Sequence, residues 1–551
     1  MPAAAQERGR DGQVNVIYWQ APSSMNPYLS GGIKEVEAAS LVLEPLARHA
    51  PDGQIVPWLA RAVPTAENGG IAPDMTAITW QLRDDLRWSD GSPLTARDVA
   101  FTWEYCTAPG VGCAQADKFR DVVAVEAPDP HTVRIRFSAP KPYPYGPFVG
   151  AQAPILQAAQ FANCLGAAAP SCTQANFAPI GTGPFRVTEF RANDAATFEA
   201  NPHYRHPARP AFARLLLKGG GSAQQAGRAV LETGEFDYAW NLQLAPDMLK
   251  AMEARGRGAI VTAFGTLVER LVFNLTDPDP ALGEARSTTA HPHPILSDPN
   301  VRQALALALD RRMLVEIGYG AAGRTTCNLL PAPPAYASER TAGCEAQDLD
   351  AARALLEAAG WRDSDGDGVR DRDGRRLVLD FQTSANAVRQ DFQVLIKHWW
   401  QEIGVETRLR NIDATVFFGA DPASPDTYQK FNADVQMYAG SFDGTDPEAY
   451  LAGWTCAKAP HPESQWQGTN IARWCDPAYD ALAADLAVSG TLEERAALAR
   501  AMNDMLVMQH VVVPLVDRGR VSAVAATLGG VRLNPWDSEL WNAAEWYRKA
   551  E

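Results

Sequence analysis

The stretch Ile78–Tyr105 reads ITWQLRDDLRWSDGSPLTARDVAFTWEY. Ile78, Trp80 and Leu82 alternate with Thr79, Gln81 and Arg83, the period-two pattern of a strand buried on one face. A turn follows at Ser89-Asp90-Gly91, because Asp bonds its own backbone and Gly takes positive φ without strain. Thr95 is placed as a helix N-cap, with Asp98 three residues on as an acidic form of the capping box. Val99, Ala100 and Trp103 give that helix an apolar face. Taken alone, these residues predict a strand, a tight turn and a helix, and no chemistry.

The whole chain has 551 residues, too many for one core and enough for roughly two to four domains. Its formal charge of −15 argues against the basic face a nucleic-acid partner needs and against docking on an anionic membrane. No apolar run approaches the roughly 20 residues of a bilayer span. The opening MPAAAQERGRDGQVNV has no apolar core; it reads as a mature amino terminus with an initiator Met, its signal peptide absent. Residues 1–13 are expected to be disordered.

The eight cysteines fall into near neighbours along the chain: Cys106/Cys113, Cys164/Cys172, Cys327/Cys344 and Cys456/Cys475. A zinc site would show closely spaced Cys knuckles or a His pair, and a catalytic thiol would stand apart. Four local disulfides in an oxidising compartment are the expectation, although eight cysteines admit other connectivities.

Along the chain, Val14–Trp19 reads as a strand and Glu35–Ala47 as a helix. His131–Phe137 alternates as a sheet strand, and Ile180–Phe185 (IGTGPF) is a turn into another. No Lys-Ser/Thr follows those glycines, so they do not make a phosphate loop. Asp298-Pro299 opens a helix expected to run on through Val315. Leu349–Ala359 is a helix closed by Gly360. Leu377–Phe381, Val388–Ile403 and Val405–Leu409 compose a βαβ unit. Helices over 476–488 and 492–508 precede an apolar strand, Val511–Val516. No internal repeat is visible.

In the opening stretch Trp80, Leu82, Arg83, Leu86, Trp88, Asp90-Gly91, Pro93-Leu94-Thr95-Ala96 and Asp98-Val99 all fall where the signature of one family has them. The chain resembles the family 5 extracellular solute-binding proteins, the oligopeptide- and dipeptide-binding components of ABC importers. VNVIYWQAPSSMNPY, HTVRIRF, IGTGPF with Asn201-Pro202-His203-Tyr204, GEFD and DPNVRQALALALDR extend the likeness over residues 14–548. It implies an α/β, two-lobed periplasmic-binding-protein fold (type II, cluster C-like). Lobe I would take its core from 14–52, 180–265 and 517–551, with an extra subdomain over 53–179, and lobe II would span 266–516. Chain crossings would fall near 264–274 and 505–517, and hinge closure would bury the ligand between the lobes.

The same resemblance points to residues. In Gly440–Pro447 (GSFDGTDP), Asp443 matches the carboxylate that pairs with a peptide's α-amino group, the partner a buried cation requires. Gly444 stands in place of the family's Tyr and is expected to open the pocket; alternatively, Asp443 and Asp446 merely cap a turn. Trp19, Trp240 and Trp466 lie where family members contact ligand, and aromatic walls suit side chains, sugars or cations alike. Asn274, Tyr438 and Asn470 complete the candidate set, though each could serve the local backbone instead. Arg518, which could meet a ligand carboxylate, is not counted in it. Separately, Asp363, Asp365, Asp367 and Asp371 alternate around glycines as in a Ca²⁺ loop, but Gly374 replaces the closing Glu, so the loop is either a structural calcium site or a solvated turn.

The function expected is a periplasmic receptor that binds a peptide or peptide-like solute and delivers it to an ABC permease. It should act as a monomer, with no catalytic residues and no required cofactor, and in its native form it could also be membrane-anchored. A non-peptide ligand (an oligosaccharide, an opine, a metal chelate) is the alternative within that role. A hydrolase is the rival class, since carboxylate pairs abound, yet the chain has no Gly-x-Ser-x-Gly, no His-Glu-x-x-His and no cofactor loop.

Overall fold

The computed structural model describes residues 7–419, 423–442 and 444–550. The opening stretch folds as its residues dictate. Ala77–Gln81 is a strand paired antiparallel with Thr132–Phe137, which in turn pairs with Val122–Asp129. The helix Ala96–Thr107 follows, and the Asp98 carboxylate accepts the Thr95 backbone N–H at 2.9 Å. Its other oxygen accepts the N–H of Ala158 at 3.0 Å, so the cap also ties the helix to the next segment. Trp80, Trp88, Val133, Ile135 and Phe137 bury themselves between sheet and helix, each aliphatic or Phe side chain contributing about 1.5–3 kcal/mol. This core also takes in Tyr28, Leu43 and Leu46, so its packing reaches back before residue 53.

Two larger sheets form the body. In the first, Gln13–Tyr18 lies parallel to Arg214–Gly219 on one side and to Tyr238–Ala239 on the other. Phe185–Arg191 and Gly258–Ala263 are its edges. The second has Val268–Phe273 between Val512–Arg518 and Val435–Gly440. Val378–Ser384 and Glu406–Ile412 pair in parallel around the helix Ala387–Glu402, the βαβ unit the sequence predicts. The chain passes from the first sheet to the second through residues 264–267 and returns at Gly519. The return therefore lies beyond the expected boundary after Val516, because Asp517 and Arg518 still pair with Gly323–Arg324.

All eight cysteines pair with their neighbours: Cys106–Cys113, Cys164–Cys172, Cys327–Cys344 and Cys456–Cys475.

Three expectations need correction. The first of the described residues are ordered rather than disordered: Arg8 donates to the carbonyls of Arg209, Asn201, Tyr204 and His206 at 2.7–3.0 Å. The helix expected over 35–47 stops early, at Ile33–Ala39. The Leu41 and Val42 carbonyls instead accept the N–H groups of Phe185 and Gly183, at 3.2 and 2.8 Å. The helix opened by Asp298-Pro299 ends at Leu307, and a second, Arg311–Gly318, starts where Asp310 accepts the Met313 N–H at 3.0 Å. In both cases a competing hydrogen bond ends a run whose apolar spacing would have continued.

Gly181 and Gly183 are required by close approach, not by any phosphate. A Cβ at Gly181 would lie 1.9 Å from the Val42 carbonyl oxygen. Gly181→Ala should destabilise the protein by about 2 kcal/mol or more, the upper part of the overpacking range, seen as a lower urea midpoint. Gly31→Ala, where a Cβ meets nothing within 4 Å, should leave the midpoint nearly unchanged.

Candidate functional site

Between the two sheets lies a cavity of about 350 Å³. The first lobe contributes Gln20, the glycine-rich turn Gly31–Lys34, Trp240 and Asn241. The second contributes Arg270, Phe418, Tyr428, Tyr438, Tyr450 and Trp454. Leu267, Arg518 and Arg520 come from the crossing strands, and Glu539 from the carboxy-terminal segment. Strand geometry places these groups: Arg270 and Tyr438 are cross-strand partners, and Trp240 follows directly from the parallel strand Tyr238–Ala239. Trp240 stacks on Tyr18 with ring centroids 4.7 Å apart and planes within 2°, which fixes one aromatic wall.

The floor is polar and tightly wired. Glu539 Oε2 accepts the hydroxyls of Tyr238 at 2.5 Å and Ser522 at 2.7 Å. Glu37 Oε2 accepts from Ser538 Oγ and from the Glu539 N–H, both at 2.7 Å. Burial, opposed by Arg520 and reinforced by the Glu539 charge, pushes the Glu37 carboxyl up to about 8. Across the cleft Arg389 is held by Glu269, its Nε 2.6 Å from Oε1.

The lobes meet beside this cavity. Lys141 pairs with Glu448, and Lys458 Nζ with Asp117 Oδ1 at 2.6 Å. Arg495 binds Asp446 and Glu448 at 2.6 and 3.0 Å and lies 5.3 Å over the Tyr143 ring. The Gly444 N–H donates to the Trp536 carbonyl at 2.9 Å. Gly444 does not open the pocket as expected. It has φ +75°, and a Cβ there would come within 2.4 Å of His49 Nε2, so glycine lets the histidine ring close against lobe II.

Of the residues singled out from sequence, Trp240 and Tyr438 line the cavity. Trp19 is half-buried beside them and donates its indole N–H to the Asn241 carbonyl at 2.9 Å. Asn274 and Asn470 are structural corrections. Asn274 Nδ2 donates to the carbonyls of Phe431 and Ala433, and Asn470 Nδ2 to those of Trp454, Thr455 and Trp474. Trp466 carries Lys430 and Arg473 over its ring and is not a lining residue. Asp443 lies outside the described residues. In the acidic loop, Asp363, Asp365 and Asp367 present carboxylate oxygens within 4.8 Å of one another, all exposed, and are the residues that could hold a cation. Asp371 is not one of that group; it accepts the Ser364 hydroxyl at 2.6 Å. Sequence reading did not single out Arg270, Tyr450 or Trp454. A signal was present in Glu269-Arg270, two adjacent charges heading the otherwise apolar strand VERLVF, every residue of which is buried.

A family model described as bacterial extracellular solute-binding proteins, family 5 (middle), matches residues 54–460. Protein XP55 of Streptomyces lividans is 28% identical over 395 residues, 70% of this chain and 64% of that protein, so the chain spans less than two thirds of its length. The periplasmic murein peptide-binding protein MppA of Escherichia coli (strain K12) is 24% identical over 536 residues, 93% of this chain and 89% of that one. Among solved structures, the oligopeptide-binding protein AppA of Bacillus subtilis, in complex with a nonapeptide, superposes with a TM-score of 0.81 at 19% identity, covering 99% of this chain and 100% of that one.

Burial pushes the His49 imidazole down to about 4, Asp537 opposing and Lys118 adding to the shift. An unfolded His takes up its proton near 6.5 and the folded one only near 4. Stability is therefore lost as pH falls through that window, by about 1.4 kcal/mol per unit. His49→Gln should flatten the fall in urea midpoint between those two pH values. His510, which burial also lowers to about 4, keeps part of the slope, and Asp517, which burial raises to about 6, works against it.

Proposed function

The chain belongs to the bacterial extracellular solute-binding proteins of family 5, and from that premise we propose that its cleft captures a peptide or peptide-like solute outside the cytoplasmic membrane and delivers it to an ABC permease. The observation that carries this is the cavity itself, lying between two sheets joined by backbone at 264–267 and Gly519. Such a hinge lets the lobes part for entry and close on the ligand. A volume of about 350 Å³ sits at the low end of the usual range for small-molecule sites, about 300–1,000 Å³. It suits a short peptide better than a long one. The rings of Phe418, Tyr428, Tyr438, Tyr450 and Trp454 give apolar area without sequence specificity, as a receptor for mixed side chains needs. Asp443 is the proposed partner of the ligand's amino group, and the four disulfides suit a periplasmic site of action.

Native mass spectrometry of the purified protein, followed by denaturation and identification of what is released, tests this. A set of short peptides bound one per chain is the expected result, and Asp443→Ala should weaken retention of peptides with a free amino terminus while sparing amino-acetylated ones. Release of a single non-peptide species would overturn the ligand assignment.

A further inference from the structure

Arg270 is 5% exposed and sits in the cavity wall. Its guanidinium lies over three rings, 5.0 Å from Tyr438, 5.6 Å from Tyr450 and 5.5 Å from Trp454. Its polar contacts are the phenol oxygens of Tyr450 and of Tyr438, the latter at 3.3 Å. Its Nε has no acceptor, and among the described residues no carboxylate pairs with it. Other buried arginines of this chain differ. Arg48 has Asp537, Arg205 has Glu44, and Arg389 has Glu269. Arg473 instead donates to the backbone carbonyls of Ile471, Gln429 and Lys430.

The seat is shaped for this side chain. A Cβ on Gly440 would fall 2.3 Å from the Arg270 guanidinium carbon and both of its terminal nitrogens, so the group lies flat on bare backbone. A guanidinium stays charged at any physiological pH, and burying it without a counter-charge is costly. Neutral phenols are poor compensation. Arg518, 5% exposed in the same wall, is similar: its Nη2 donates to the Asn241 amide oxygen at 3.0 Å, and no carboxylate among the described residues pairs with it.

Resting on the reading of the cleft as a solute site, we propose that Arg270 is a specificity-determining residue that takes a carboxylate of the solute. The ligand is then anionic where it meets lobe II, and its planar carboxylate supplies the counter-charge that the protein withholds, by paired charge-assisted hydrogen bonds. That carboxylate comes either from a peptide's carboxy terminus or from an acidic side chain.

Affinity selection separates these cases. Wild type, Arg270→Gln and Arg270→Lys are each incubated with an equimolar library of di- and tripeptides, synthesised as free acids and as carboxy-terminal amides, with and without Asp or Glu. Retained peptides are identified by mass spectrometry. Wild type should favour carboxylate-bearing members over their neutral counterparts by about 10- to 100-fold, and Arg270→Gln should lose that preference. Preference for free acids over amides locates the carboxylate at the terminus. Retention of acidic-residue amides locates it on a side chain. Arg270→Lys should keep the sign of the preference with a smaller ratio. The ligand-free Arg270→Gln protein should melt no lower than wild type, because a burial penalty is removed; a lower melting temperature would indicate a structural role and overturn the assignment. Retention by wild type without regard to charge would overturn it too, while leaving the receptor reading intact. Retention of nothing by wild type would sink the peptide-receptor reading and this one with it.

Discussion

The backbone passes between the two large sheets at residues 264–267 and at Gly519, and what this protein can do depends on how little chain that is. The first crossing runs from the edge strand Gly258–Ala263 to Val268–Phe273 inside the second sheet, and the second joins Val512–Arg518 to Arg520–Ala525, each lying next to an edge strand of its sheet, so the link between the lobes is short. Gly519 is close-set as well as strategic: a Cβ there would approach the Thr262 methyl to 2.5 Å, so one crossing is laid directly on the other. Side chains at the strand ends beside these crossings, Leu267, Arg270, Arg518 and Arg520, therefore reach the cavity from its hinge side. The hinge and the ligand site are built from the same few residues.

Charge is distributed unevenly about that hinge. At the outer seam of the lobes, Lys141, Lys458 and Arg495 all find carboxylates. Lys141 with Glu448 and Arg495 with Asp446 are largely buried there, and only Lys458 with Asp117, each about a third exposed, belongs with the surface pairs that contribute roughly 0–1 kcal/mol. Inside, Arg270 and Arg518 are left to phenols and an amide. The protein's overall acidity (−15) makes it the more telling that, among the described residues, no carboxylate pairs with either cation.

Much of this architecture could be read from the chain before any coordinates. Alternation at Ile78–Leu82, the Thr95/Asp98 cap, the helix stop at Gly360 and the four cysteine pairs are all local signals, and local signals survive folding. The helix expected through Val315 was broken by a local cap at Asp310, and the other readings failed where a distant group intervened. The carbonyls of Leu41 and Val42 were taken by Gly183 and Phe185 rather than by a continuing helix, and Arg8 found four carbonyls far along the chain. For the site the same rule holds more severely. Trp240 and Tyr438 were among the candidates the resemblance pointed to, but Asn274 and Asn470 looked equally suitable and spend their amide N–H groups on buried carbonyls. Whether an asparagine faces a ligand or its own backbone is settled by neighbours that sequence spacing does not reveal. Arg270 escaped notice because its meaning lies in what is missing around it.

That missing counter-charge bears on how closure is driven. In the closed form Arg270 is desolvated with only neutral acceptors, a state that costs free energy. With the lobes apart, water can reach the cleft and the cost falls. If Arg270 takes the carboxylate as proposed, this cost biases the empty protein toward the open form. A ligand that brings a carboxylate removes the penalty only in the closed form, and a ligand shifts a conformational equilibrium only by its difference in affinity for the two states. On this view the unpaired guanidinium is what makes occupancy and closure the same event. It also discriminates, since a neutral solute that fills the aromatic cavity equally well gains the same apolar contact yet leaves the charge uncovered. Selectivity and closure then follow from one unfilled valence rather than from separate devices.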